Sequence, residues 1–153
     1  MLKKMAIVCL LFVSLSITAA PLKKGDLLPT ITLTNQHKKT VTIGADIRTL
    51  LFSADKAPSM VINQLLKGKP DYLAKHKAYF IADISGMPFL ISKFIAVPKM
   101  KKYPYDVLLV RNSNWASFIP HKKGHVSVLK LVANKVMSVN FAKNKQALTA
   151  LIK

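Results

Sequence analysis

Cys9 is the only cysteine in the 153 residues, and it stands inside an apolar stretch near the amino terminus. Everything after it must fold without a disulfide, a thiolate nucleophile or a cysteine metal ligand. A chain of roughly 130 residues can bury enough apolar surface to do so. The amino-terminal stretch itself is expected to be removed. Lys3 and Lys4 open it, Met5 to Ile17 is apolar apart from Ser14 and Ser16, and Thr18, Ala19 and Ala20 are small. That is the layout of a secretory signal peptide. The competing reading is an uncleaved anchor, but the apolar run is shorter than the ~20 residues a spanning helix needs. Cleavage is expected after Ala19 or Ala20, giving a signal peptide at 1–20 and one domain at 21–153. No later run is long and apolar enough to span a membrane. The expected product is periplasmic or secreted.

The charge balance is lopsided. Lysine and arginine number 24 against six acids, all of them Asp, for a formal net charge of +18. Removing the signal peptide takes two lysines and leaves about +16. Such a field draws anionic partners. The basic residues are nevertheless spread along the chain, with short clusters such as Lys99, Lys101 and Lys102 and no arginine-rich tail. The pattern fits a basic, solvated surface with an envelope protein or an anionic ligand as partner, and no specific nucleic-acid binding is expected.

Apolar periodicity orders the rest. Thr30–Thr34 and Thr40–Ile43 alternate around a polar turn and predict a β-hairpin. Thr49–Ser53 is a compact apolar strand. Pro58 suits the first turn of a helix, where its missing N–H costs nothing. Val61, Ile62, Leu65 and Leu66 then recur at helical spacing. A short helical stretch to His76 and a strand over Ala78–Ile84 follow. Pro88 opens a helix carrying Leu90, Ile91, Phe94, Ile95 and Met100, which Pro98 is expected to end or kink. Asp106–Arg111 reads as a buried strand, and Trp115–Ile119 as a short one. Val126–Val132 and Val136–Phe141 pair back through Ala133-Asn134-Lys135, and a helix runs from about Lys143 to Ile152. Strands separated by helices predict parallel pairing and the terminal hairpin antiparallel pairing. The fold class is α/β: a mixed central sheet flanked by helices, with an added amino-terminal hairpin.

That order resembles the thioredoxin fold, in its peroxiredoxin-like branch. Gly25-Asp26-Leu27-Leu28-Pro29 followed by Thr30-Ile31-Thr32-Leu33 looks like the opening of those proteins. The chain is also similar to a group of small exported bacterial proteins sharing Leu51-Phe52-Ser53-Ala54-Asp55-Lys56, Ala82-Asp83-Ile84-Ser85-Gly86-Met87-Pro88 and Tyr103-Pro104-Tyr105. Members often carry the label FAD/FMN-containing dehydrogenase. The resemblance places a Cys-x-x-Cys active site where this chain has Lys56-Ala57-Pro58-Ser59. An ammonium and a hydroxyl cannot replace thiolates in disulfide exchange. It also places a cis-proline facing that site, at Tyr103-Pro104-Tyr105; the alternative is a trans proline marking a strand start. The resemblance thus implies a groove around Asp55, Lys56, Pro58, Ser59, Asp83, Pro104 and Tyr105, without thiol chemistry.

Other chemistries find little support. Gly-x-Gly-x-x-Gly is absent, so no phosphate cradle for a flavin is recognisable, and no cofactor is expected. His121 and His125 are four apart, but Lys122, Lys123 and Gly124 between them favour a loop, and there is no Glu to complete a common two-histidine site. No metal is expected. There is no Gly-x-Ser-x-Gly elbow. Asp83 and Ser85 read as caps of the following turn. Trp115 and Phe118 near Arg111, Lys122 and Lys123 could stack on bases or sugars, but sheet-edge packing explains them too. Two functions remain: a redox-inactive binding or scaffolding module of the cell envelope, or an enzyme of unrecognised type using Lys56, Ser59 and Tyr105.

Overall fold

The computed structural model describes residues 20–153, so Met1–Ala19 of the expected signal peptide lie outside it. Among the described residues no helix is long and apolar enough to cross a membrane. Seven strands form one mixed sheet in the order β2-β1-β5-β4-β3-β6-β7. The hairpin β1 (Ile31–Asn35) and β2 (Thr40–Ile43) is antiparallel, with Ile31 opposite Ile43 and Thr34 opposite Thr40. Strands β3 (Thr49–Ser53), β4 (Ala78–Asp83) and β5 (Leu108–Val110) run parallel. Strand β6 (Val126–Val132) runs antiparallel to β3 and forms a hairpin with β7 (Lys135–Ala142). Its turn is Ala133-Asn134, both at positive φ (46° and 63°). That is the sense of two-residue turn whose twist matches the flanking strands.

Every residue of β3 is buried, because the sheet is covered on both faces. One face packs Leu51, Phe80 and Val128 against Ile62, Leu65 and Leu66 of α1 (Lys56–Leu66), Leu73 of α2 (Tyr72–Lys75), and Leu148 and Ile152 of α6 (Lys145–Ile152). The other packs Leu50, Phe52, Ile81 and Leu129 under Leu28, Ile119 and the short helix α5 (Ser113–Ala116).

Pro58 falls in the first turn of α1, as expected; the helix begins at Lys56, where the side chain of Asp55 caps it by accepting from the Ala57 N–H at 3.0 Å. Two local expectations need correction. Trp115 is helical, not extended: Asn112 accepts from the Asn114 N–H at 3.1 Å and starts α5. This polar cap outweighs the apolar run. Pro98 does not end its helix. The run is α3 (Phe89–Ile91), a π-helical turn (Ser92–Ala96) and α4 (Val97–Met100), with Pro98 in the first turn of α4. The Val97 N–H reaches back to the Ser92 carbonyl. The wider turn makes room for a ring that would otherwise crowd the carbonyl four residues back.

Candidate functional site

Strand β3 ends at Ser53 and α1 starts three residues later, so Asp55, Lys56 and Ser59 gather at the carboxyl end of the sheet. In open α/β sheets ligands collect at that end. A cavity of about 830 Å³ lies there, between α1, the end of β4 and the helical run 89–100. Lys56, Ser59, Met60 and Asn63 line it from α1, at the three- and four-residue spacing of one helix face. Asp55 and Asp83 stand at its rim, and Met87, Ile91, Ile95 and Met100 form an apolar wall. Pro58 is buried in the first turn of α1 and does not line the cavity.

Asp55 already engages one N–H at the start of α1 and one from the facing loop. Asp55 Oδ1 accepts from Ala57, and its Oδ2 accepts from the Gly124 N–H at 3.3 Å. Gly124 has φ +72°, which turns its N–H toward the helix start at no steric cost. Ser59 Oγ donates to the Asp55 carbonyl at 3.1 Å and lies 2.7 Å from Ser53 Oγ. Asp83 accepts from the Ser85 N–H at 2.8 Å, a turn cap.

Pro104 and Tyr105 lie elsewhere. They line a second cavity, of about 620 Å³, with His37, Asp46, Tyr79 and Asp106. The reason is direction. Strand β5 runs parallel to β3 and β4, so the segment entering it sits at the amino ends of those strands. Asp55 and Lys56 follow a carboxyl end. The strand entered beside α1 is β6, antiparallel to β3, and its entry loop is Pro120–His125. That loop supplies the Gly124 contact and sets the His121 ring 6.1 Å from the ring of Phe52. All described peptide bonds are trans, that of Pro104 included. Tyr105 bonds to α1 through its hydroxyl, which donates to Asn63 Oδ1; Asn63 Nδ2 donates to the Tyr103 hydroxyl at 3.1 Å. Burial, and secondarily the neighbouring Tyr103, holds the Tyr105 phenol well above its ordinary pKa, so it stays a neutral donor.

Asn63 was not singled out from the sequence, and Tyr103, Met87 and Met100 were named in motifs or helices but not as site residues. The signal for Asn63 was present: Lys56, Ser59 and Asn63 share one helical face. No local signal marks the wall residues, which come from a separate segment. Among the described residues no three His, Asp or Cys side chains converge as a metal set. The Nδ1 atoms of His121 and His125 lie 3.1 and 2.9 Å from the carbonyls of Ile119 and Lys123. Trp115 and Phe118 pack against each other at 4.7 Å and against the core.

No protein-family model and no curated protein matches the chain. Solved structures do. The chain is similar to a candidate protein disulfide isomerase from Bacteroides thetaiotaomicron, with TM-score 0.55 and 17% identity over 86% of each chain. It is similar to the peroxidoxin BcpB from Mycobacterium tuberculosis, with TM-score 0.53 and 12% identity over 86% of this chain and 94% of that one. It is also similar to a thio-disulfide isomerase from Thermus thermophilus, with TM-score 0.51 and 19% identity over 84% and 94%. These likenesses define the architecture: the chain has a thioredoxin-like α/β fold.

Proposed function

We propose that this chain is a redox-inactive, thioredoxin-like binding module of the bacterial cell envelope, exported by loss of 1–20 and made of one domain over 21–153. It is read as one of the small cysteine-less exported proteins it resembles. One observation carries the reading. Where α1 starts after β3, the side chains are Lys56 and Ser59, and residues 20–153 contain no cysteine. What the groove offers instead is a largely apolar wall. The enzyme alternative gains nothing from the geometry. Ser59 Oγ donates to a backbone carbonyl, among the described residues no histidine or carboxylate side chain is hydrogen-bonded to it, and the Tyr105 hydroxyl is committed to Asn63.

Two results are expected. Insulin-reduction and thiol-peroxidase assays should show no turnover above background, because no group can take the thiolate's place. Lys56→Cys/Ser59→Cys should gain measurable insulin reduction, since the new thiols would stand at a helix start that favours thiolate. Turnover by the wild-type protein would overturn the redox-inactive reading. For export, the amino terminus of protein from the periplasmic or secreted fraction should be Ala20 or Pro21. Retention of Lys3 and Lys4 would overturn that.

A further inference from the structure

Ten large apolar side chains among the described residues are exposed, and five of them, Phe89, Leu90, Ile91, Phe94 and Ile95, fall within seven residues. Singly scattered apolar side chains are ordinary on a protein surface. A contiguous cluster on one helical run marks a contact surface. Ile91 and Ile95 turn toward the cavity beneath, whereas Phe89, Leu90 and Phe94 do not line it and are 71%, 64% and 64% exposed. Around them stand Lys93, Lys99, Lys101 and Lys102, all exposed. No acidic residue occurs from Ile84 to Tyr105. The Lys93 ammonium sits 5.5 Å from the Phe89 ring and 5.3 Å from the Phe94 ring, so its stem lies along the apolar patch and its charge at the patch edge.

We propose that the helical run Phe89–Met100 docks this protein onto an anionic phospholipid bilayer, with Phe89, Leu90 and Phe94 entering the acyl boundary and the lysines meeting the headgroups. Protruding aromatic and aliphatic side chains on a segment whose only charged residues are lysines match the composition of helices that lie in a membrane interface. A bilayer also needs no matching concave shape, which suits side chains that project rather than form a groove. A second copy of the chain fits worse, because it would set two lysine-bearing segments against each other. This inference does not rest on the redox reading, and thiol assays and vesicle binding fail separately.

The test is partitioning onto vesicles of equal parts phosphatidylglycerol and phosphatidylcholine, against phosphatidylcholine alone. Wild type and variants are taken from the same cell fraction, so that residues 1–19 are in the same state in all of them. Wild type should bind the anionic vesicles, and added salt should weaken the binding. Phe89→Ser/Phe94→Ser should lose about tenfold or more, since two interfacial anchors go. Lys101→Gln/Lys102→Gln should lose about fivefold for each lysine. All four positions are exposed, so folding should be unaffected, which circular dichroism checks. In a separate variant, Phe94→Trp, emission should shift to the blue on the anionic vesicles. No binding by wild type, equal binding by Phe89→Ser/Phe94→Ser, or an unshifted Phe94→Trp would overturn the proposal. A dimer of wild type that Phe89→Ser/Phe94→Ser disperses, without vesicle binding, would overturn it in favour of self-association.

Discussion

Gln36→Met is expected to lower the unfolding free energy by about 2–6 kcal/mol. Gln36 sits in the turn between β1 and β2, where a polar side chain would ordinarily face water, yet it is 1% exposed. Its Nε2 donates to the Tyr105 carbonyl at 2.8 Å, and its Oε1 accepts from the Val107 N–H at 2.8 Å. One side-chain amide thus stands in for a strand partner of the segment entering β5. Methionine keeps the length and volume, so no cavity opens and the loss isolates the polar term. Two buried backbone groups would be left without partners, at about 1–3 kcal/mol each. Urea unfolding should show a lower midpoint with an unchanged slope. His37→Met, one residue along on the exposed side of the turn, should stay within about 0.5 kcal/mol. A Gln36→Met loss no larger than that of His37→Met would show that the amide is dispensable.

Phe52→Ala is expected to cost about 3–5 kcal/mol. Phe52 is fully buried in β3, facing Leu50, Ile81 and Leu129, and pairs in register with Ile81 on one side and Ser127 on the other. Truncation removes a ring from a face covered on all sides, and a central strand cannot collapse inward to fill the space. It also takes away the ring against which His121 sits, loosening the loop that contacts Asp55. That cost approaches the whole stability of many domains of this size, so Phe52→Ala could fail to fold. Phe52→Leu retains most of the volume and should cost about 1–2 kcal/mol. Thermal midpoints in the order wild type, Phe52→Leu, Phe52→Ala are the expected result. A Phe52→Ala protein as stable as wild type would mean that β3 is not the packed centre of the sheet.

Much of this was legible in the residues. Apolar alternation in Ile31 and Leu33, and in Val41 and Ile43, defines the first hairpin, since a half-buried strand needs a period of two. The run Leu50-Leu51-Phe52 marks a strand covered on both faces. Val61, Ile62, Leu65 and Leu66 mark one face of α1. The absence of thiolate after Cys9 needs no structure at all. Short caps were harder. Asp55 and Asn112 set where α1 and α5 begin, and each competes with an apolar or proline signal only a few residues away.

The sequence by itself determined that 20–153 must hold together without disulfides, that strands alternate with helices, and that Val61, Ile62, Leu65 and Leu66 share one helix face. Those follow from composition and from periodicities of two and 3.6, which are local. Only the tertiary structure decided what faces the start of α1. Strand direction moved Pro104 and Tyr105 to the amino ends of β3 and β4 and brought Pro120–His125 to α1 instead. It also decided that Gln36 is buried and that Phe89, Leu90 and Phe94 are not. Burial depends on which elements lie above a residue. A hydrophobic side chain carries the same local signal whether a neighbouring helix covers it or leaves it facing outward.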